Sequence, residues 1–216
     1  MSNAHWPLFD LELRTPVMTL RYLDDELAAE LVGVAARGVH DPGSMPFSIP
    51  WTDLPSPQLE REAMRFYWRG RADTTATSWR LLFAVIVDEA VVGACDLFAD
   101  EFPALRQFET GSWLGRESQG HGLGKEMRMA ALTLGFDGLG ASCARTGAWH
   151  DNERSLGVTR SLGYAEEGRR RELRRGVPDE IVGFRMDRAH WATLRRDDIS
   201  LHGIEAARSF LGLDPG

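Results

Sequence analysis

Cysteine is nearly absent: Cys95 and Cys143 are the only two in 216 residues. They form neither a CxxC pair nor a disulfide framework, and both sit in apolar strand-like segments, so buried thiols in a reducing compartment are expected. Histidine is sparse and scattered over positions 5, 40, 121, 150, 190 and 202, without HExxH or any other ligand spacing, and no structural metal is expected. No apolar run reaches the roughly 18 residues that a membrane span needs. The opening MSNAHWPLFD lacks the basic and apolar regions of a secretory signal, so neither export nor a membrane partner is expected and the location is read as cytoplasmic. An excess of basic charge is missing too. With 25 Lys and Arg against 32 Asp and Glu, the net charge is −7, which argues against a nucleic-acid partner and favours a basic protein or an amine. The triplet Arg169-Arg170-Arg171 reads as a solvated strand face. Internal repeats and low-complexity linkers are also lacking, so one domain over 1–216 is the economical reading.

What is present is an ordinary balance of 43% hydrophobic and 26% charged residues, enough for one well-buried α/β core. Residues 16–23 read as a strand and 24–37 as a helix with Leu27, Leu31 and Val34 on one stripe. A second helix is expected from about 56 to 69. Segments 79–87 and 91–98 form a hairpin around Asp88-Glu89, and 108–114 is a further strand. Helix 125–139 follows, with Met127, Ala130, Ala131 and Leu134 inward, then a strand over 142–149. A short helix opens at Asn152 and ends at Leu162-Gly163, and 169–175 with 180–186 closes as a hairpin. Residues 190–213 read as helical with a short extended piece near Ile199. The loop 38–57 is rich in proline and glycine and carries Met45, Phe47 and Trp51; it is either functional or a hydrophobic plug on the core.

The most informative stretch is GSWLGRESQGHGLG from Gly111, where a strand meets a long helix through Gly120, Gly122 and Gly124. Glycines let the backbone approach a ligand, and the first free N–H groups of the helix, with the positive end of its dipole behind them, make an anion site. A Walker loop is excluded because Gly124-Lys125 is followed by Glu126, not by Ser or Thr. The dinucleotide fingerprint is excluded because position 125 is lysine where a third glycine is needed. What remains is Gln119-x-x-Gly122-x-Gly124.

That motif, followed by Asn152-x-x-Ser155 and Leu162-Gly163-Tyr164 in the same order of elements, resembles the Gcn5-related N-acetyltransferase (GNAT) superfamily, in its RimJ/RimL-like branch. The resemblance covers about 16–188 and leaves 189–216 as an extension. It implies an α/β (α+β) fold: one mixed central sheet of six to seven strands with helices on both faces. Residues 5–11, 38–42, 45–48 and 111–115 are similar to a mycobacterial member regarded as an N-succinyltransferase. The implied cosubstrate is acyl-CoA, acetyl-CoA or succinyl-CoA, with no tightly bound cofactor. The implied partner is an amine acceptor, whether a protein N-terminus, a lysine or a small amine, and a homodimer is a family-level expectation.

The resemblance places the diphosphate on Gln119, Gly120, His121, Gly122, Leu123, Gly124 and Lys125, and the pantetheine arm along Trp113, Leu114, Asn152 and Ser155 between two diverging strands, where it pairs like an inserted strand. A backbone N–H near Leu114 would steady the thioester oxyanion, a contact worth about 10²–10³ in rate. The amine must be neutral. About one lysine in 10³ is neutral at pH 7, against roughly ten per cent of α-amines. Glu109 is the candidate general base, acting through water. Many family members supply a tyrosine seven residues after the asparagine; here Thr159 stands there, which shifts protonation of the leaving thiolate to Ser155. The substrate-side candidates are His40, Phe47, Trp51 and Arg80, with His40, Arg37 and Arg80 as cations for a succinyl tail. The competing reading is a non-catalytic acyl-CoA-binding or regulatory protein of the same fold.

Overall fold

The computed structural model describes residues 4–213, so the first and last three positions of the expected 1–216 domain lie outside the described residues. Two short strands open it, β1 (Glu12–Arg14) and β2 (Thr19–Tyr22). Asp24 caps α1 (Asp25–Ala36), its carboxylate accepting from the Leu27 amide at 2.8 Å, and α2 (Gln58–Ala72) follows the long loop. β3 (Trp79–Val87) and β4 (Ala90–Ala99) form the central hairpin, with Asp88 and Glu89 at φ 47° and 65°. Positive φ at both positions is what a two-residue turn matched to strand twist requires. One turn of helix, α3 (Phe102–Leu105), leads into β5 (Gln107–Leu114) and then α4 (Leu123–Thr133). β6 (Cys143–Trp149), α5 (Glu153–Ser161) and the hairpin of β7 (Ala165–Arg174) and β8 (Val177–Asp187) follow. The chain closes with α6 (Arg188–Leu194), β9 (Ser200–His202) and α7 (Ile204–Phe210).

The sheet has nine strands, not six to seven, in the order β7-β8-β6-β5-β4-β3-β2-β1-β9. The excess lies at one edge. The strand expected over 16–23 is β2 alone, and an unexpected β1 precedes it: the Thr15 amide donates to the Met18 carbonyl at 2.9 Å, turning the chain at Pro16, which has no N–H for a ladder. The extended piece expected near Ile199 becomes β9, whose Leu201 pairs with Leu13 of β1. Strands of three residues are too short for alternation to reveal.

Alternation does set the layers around β3. Leu81, Phe83 and Val85 pack on one face with Leu97, Phe108, Met127, Ala130 and Ala131. Leu82 and Ala84 turn to the other, against Leu27 and Leu31 of α1 and Ala63 and Tyr67 of α2. A strand buried on both sides needs helices on both sides. Cys95 and Cys143 are buried and free, and burial pushes the Cys95 thiol up to about 12. Helix α4 stops at Thr133, short of the expected Leu139, and turns into one π turn over Leu134–Gly138. There the Phe108 ring lies so close to Gly135 that any Cβ would overlap it.

One feature of the sheet positions everything else. β5 and β6 run parallel and pair over 107–109 and 143–145. Beyond Glu109 and Arg145 the ladder ends, while β5 stays paired to β4 as far as Leu114 and β6 to β8 as far as Trp149. The two strands therefore part. Gly93 on β4 explains the direction: a side chain there would overlap the Trp113 carbonyl and meet the Leu114 Cα at 2.8 Å, so its absence lets the end of β5 lean onto β4 and away from β6.

Candidate active site

The parted strands open into a cavity of about 760 Å³ that continues to the N-terminus of α4. At that end the loop is shaped by its glycines. Gly120 and Gly122 have φ of +86° and +80°, a left-handed backbone that other residues adopt at a cost, whereas a Cβ at Gly124 would make only ordinary contact with Val158 at 3.5 Å. The amides of Gly120, His121, Gly122, Leu123 and Gly124 have no hydrogen-bond acceptor among the described residues; the first amides to find one are Lys125 and Glu126, both on the Gly122 carbonyl. Five consecutive free N–H groups at a helix start form an anion cradle. Lys125, Arg116 and Arg154 line the same cavity.

Gln119 lines the cavity and also shapes its wall. Its Nε2 donates to the carbonyls of Val39 at 2.6 Å and Leu114 at 2.7 Å, and its Oε1 accepts from Arg154. The side chain ties the loop after α1 to the end of β5 and helps shape the cradle. Gly120, Gly122, Leu123, Gly124 and Lys125 line the cavity, as do Trp113 and Leu114. The His121 side chain does not, although its amide belongs to the free run.

Asn152 and Ser155 line the cavity as well. Asn152 caps α5, its Oδ1 accepting from the Ser155 amide at 3.3 Å. The Ser155 hydroxyl makes no hydrogen bond among the described residues. Thr159 is 1% exposed and faces the core; Tyr164 is 6% exposed, as expected of a core residue.

The long loop is both plug and wall. Met45 is buried, and the Trp149 indole donates to the Phe47 carbonyl at 3.2 Å. Arg174 donates to the Met45 carbonyl at 2.7 Å, and Arg175 holds Asp53 at 2.6 Å. Thus clamped by the β7–β8 hairpin, the loop turns His40 and Phe47 to the cavity. Trp51 stands behind them, packed between Phe47 and Trp113 with ring centroids 5.2 and 5.8 Å away. His40 is engaged through Nδ1 with the Asp41 carbonyl and through Nε2 with Thr52 Oγ1.

Arg80 and Glu109 fall outside the cavity. Arg80 pairs with Asp96, a half-buried ion pair, and stacks on Phe98 at 4.1 Å. Alternation from the buried Phe108 turns Glu109 to the α1/α2 face, at the last rung before β5 and β6 part. Asp96, which sequence reasoning missed, sits on that same face opposite Gly111, whose missing side chain makes room for the carboxylate. Burial pushes the Asp96 carboxyl up, against the opposing pull of the Arg80 guanidinium and the Gly111 amide. Nothing in the sequence around DLFAD distinguishes it; its burial arises from α1 packing on β4 and α2 on β3.

Among the described residues, no group of three or more His, Cys, Asp and Glu could hold a metal ion. No helix among them is long and apolar enough to cross a membrane.

Solved structures share this fold. A GCN5-related N-acetyltransferase from Brucella melitensis superposes with a TM-score of 0.67 at 20% identity, covering 93% of this chain and 85% of its own. RimL, the ribosomal L7/L12 alpha-N-protein acetyltransferase in complex with coenzyme A, gives 0.65 at 15%, covering 80% and 95%. A SpeG spermidine N-acetyltransferase chimera from Vibrio cholerae and hSSAT gives 0.65 at 18%, covering 83% and 99%. At such identities the likeness carries the fold. A model of the acetyltransferase (GNAT) domain matches residues 18–165, a span that holds the parted strands, the glycine cradle, Asn152 and Ser155. By that match over most of its length, and by the wedge and cradle within it, the chain belongs to the GNAT acetyltransferase family.

Proposed function

We propose that the protein is an acyl-CoA-dependent N-acyltransferase that passes an acyl group, acetyl or succinyl, to a primary amine within a ternary complex. One observation carries the reading: five unengaged amides at the head of α4 open onto a wedge between two parting strands. The amides suit a diphosphate, and the unpaired edges of β5 and β6 suit the amide groups of a pantetheine arm. Asn152 and Ser155 face that arm.

In the reaction the amine nitrogen attacks the thioester carbonyl, the C–N bond forms, the C–S bond breaks, and free CoA leaves. A backbone N–H near Leu114 steadies the oxyanion. Ser155 gives its hydroxyl proton to the departing thiolate and recovers one from water. The amine arrives from the α1/α2 face, where Glu109 accepts its proton through water and Asp96 stands across Gly111 as a second carboxylate. A net charge of −7 favours a cationic acceptor in solution. The RimL and spermidine N-acetyltransferase neighbours support protein N-termini and polyamines as the first acceptors to try.

Release of free thiol from acetyl-CoA and succinyl-CoA over a panel of peptides and amines tests this. Turnover with at least one pair is the expected result. A second reading, a non-catalytic acyl-CoA-binding protein, is favoured by Thr159, which is buried where many relatives carry a tyrosine. CoA binding without turnover on any acceptor would select it.

A further inference from the structure

One arginine of α4 has no part in the reaction above. Arg128 stands five residues beyond Leu123, about 7.5 Å along the helix from the amide cradle. It lines the cavity although only 5% of it is exposed. Its Nη1 donates to Thr146 Oγ1 at 3.1 Å, and a side-chain hydrogen bond joins the guanidinium to the Tyr164 phenol. Arg128 Nε is buried and has no hydrogen-bond partner among the described residues. Thr146 follows Arg145, the last residue of β6 that pairs with β5. The guanidinium is thereby held on the α4 side of the sheet where the two strands part, while Glu109 lies at the same point on the α1/α2 side.

No carboxylate neutralises this charge. Among the described residues Asp96 is paired with Arg80, Glu126 with Arg196 and Asp151 with Arg174, and no acid is paired with Arg128. The titratable groups that face it from other elements are Cys95 of β4 and Tyr164, with Cys143 of β6 beside Tyr164. Burial pushes the Cys95 thiol up to about 12 and the Tyr164 phenol above its ordinary value, so neither supplies an anion at neutral pH. The other charged or titratable side chains of the cavity stand on separate segments: Arg116 and Lys125 flank the glycine loop, His40 and Asp41 belong to the long loop, Asp151, Glu153 and Arg154 stand at the start of α5, and Arg174 comes from β7. A buried guanidinium whose partners are all neutral favours an anion beside it.

The leaving group of the reaction is such an anion. When the C–S bond breaks, its electron pair goes to sulfur. Ser155 cannot neutralise that charge alone, because a serine hydroxyl is a far weaker acid than a thiol, whose ordinary value is about 8.5. The serine passes a proton on only as it takes one from water, and until that relay is complete the sulfur is a thiolate. We propose that Arg128 is a further catalytic residue, whose guanidinium faces the sulfur from the α4 side and holds the departing CoA as a thiolate. This rests on the acyl-CoA reading of the wedge. Arg128 keeps all of its own protons; the thiolate takes its proton through Ser155, and free CoA is the product.

Calorimetric binding of CoA and of desulfo-CoA, which lacks the thiol, to the full chain over a range of pH tests this. The two probes carry the same diphosphate and arm, so the titrations of the other groups along the cavity cancel in the ratio of their affinities. A cation within about 4–6 Å lowers the titration of an acid by about 1–3 units. The ratio is therefore expected to rise in favour of CoA by about 10-fold or more between about pH 6 and about pH 9, tenfold for each unit by which the bound thiol lies below the free one. In Arg128→Gln, which keeps a donor for Thr146 and loses the charge, the ratio stays level, and Arg128→Lys keeps part of the rise. Thermal melts establish that both variants fold, and the wild-type ratio needs no variant. A level ratio in the wild type, or a rise that survives in folded Arg128→Gln, overturns the inference and leaves the acyltransferase reading standing. Failure of both CoA and desulfo-CoA to bind removes both.

Discussion

Replacing Gly122 with alanine strains the anion cradle without filling it. Gly122 has φ +80°, and a Cβ there would meet nothing within 4 Å, so the substitution acts through backbone conformation alone. A non-glycine residue in the left-handed region costs roughly 1–2 kcal/mol. That cost must fall on folding, if the loop keeps its shape, or on binding, if the free loop relaxes and the ligand restores it. Because the loop is exposed at Gly120, His121 and Gly122, relaxation is the easier route. We therefore expect CoA affinity to fall by about 5–30-fold with little loss of stability. Gly124→Ala is the matched control: its φ is not positive, its Cβ would lie 3.5 Å from Val158 Cγ2, and the glycine is within α4. Alanine inside a helix gains roughly 0.5–1 kcal/mol over glycine, so this variant should bind CoA within about twofold of the parent and melt slightly higher. Calorimetry with CoA and denaturant unfolding on both proteins provide the reading. A Gly122→Ala protein whose affinity and stability both match the parent would refute the claim that backbone amides in this conformation hold the anion.

Three further outcomes follow from the geometry. Ser155→Ala should lower kcat by about 10² or more while leaving KM for the acyl donor nearly unchanged, because Asn152 caps α5 through the Ser155 amide and not its hydroxyl; a normal pH–rate profile and kcat would remove the serine from proton transfer. Gly93→Ala should destabilise the fold by about 1–3 kcal/mol and narrow the wedge, since the new methyl meets the Trp113 carbonyl and the Leu114 Cα, neither of which is a flexible side-chain end; the melting temperature and CoA affinity should fall together. The Arg175 hydrogen bond holds the Asp53 carboxyl below its ordinary 3.8. The clasp on the long loop is therefore fully present above that ordinary value and lost as pH falls through the lower, folded one. Limited proteolysis within 38–57 should rise over that acid window, and Asp53→Asn should show the faster cleavage already at pH 7; equal cleavage rates for parent and variant at neutral pH would show that the clasp does not hold the loop.

The glycine cradle was legible before any coordinates because it is local. Gly120, Gly122 and Gly124 with the following helix lie within a few residues, and the conformations they permit depend on little beyond themselves. The helix start at Asn152 and the β3–β4 hairpin around Asp88-Glu89 are legible for the same reason. The edge strands β1 and β9 were not, since three residues carry no period and their pairing joins positions nearly 190 apart in the chain.

The site divides along the same line. Residue types and short spacings sufficed to mark the glycine turn before α4, the start of α5 and the α/β layering. Which groups face one another was decided by packing: Gln119 donates to two carbonyls, Arg80 meets Asp96 across the paired strands β3 and β4, and α4 carries Arg128 to Thr146 of β6. The physical reason is that burial and the pairing of charge depend on elements brought together from distant parts of the chain. A lone arginine in a helix stripe looks solvated in sequence, and only the closed core buries Arg128 against the Thr146 hydroxyl.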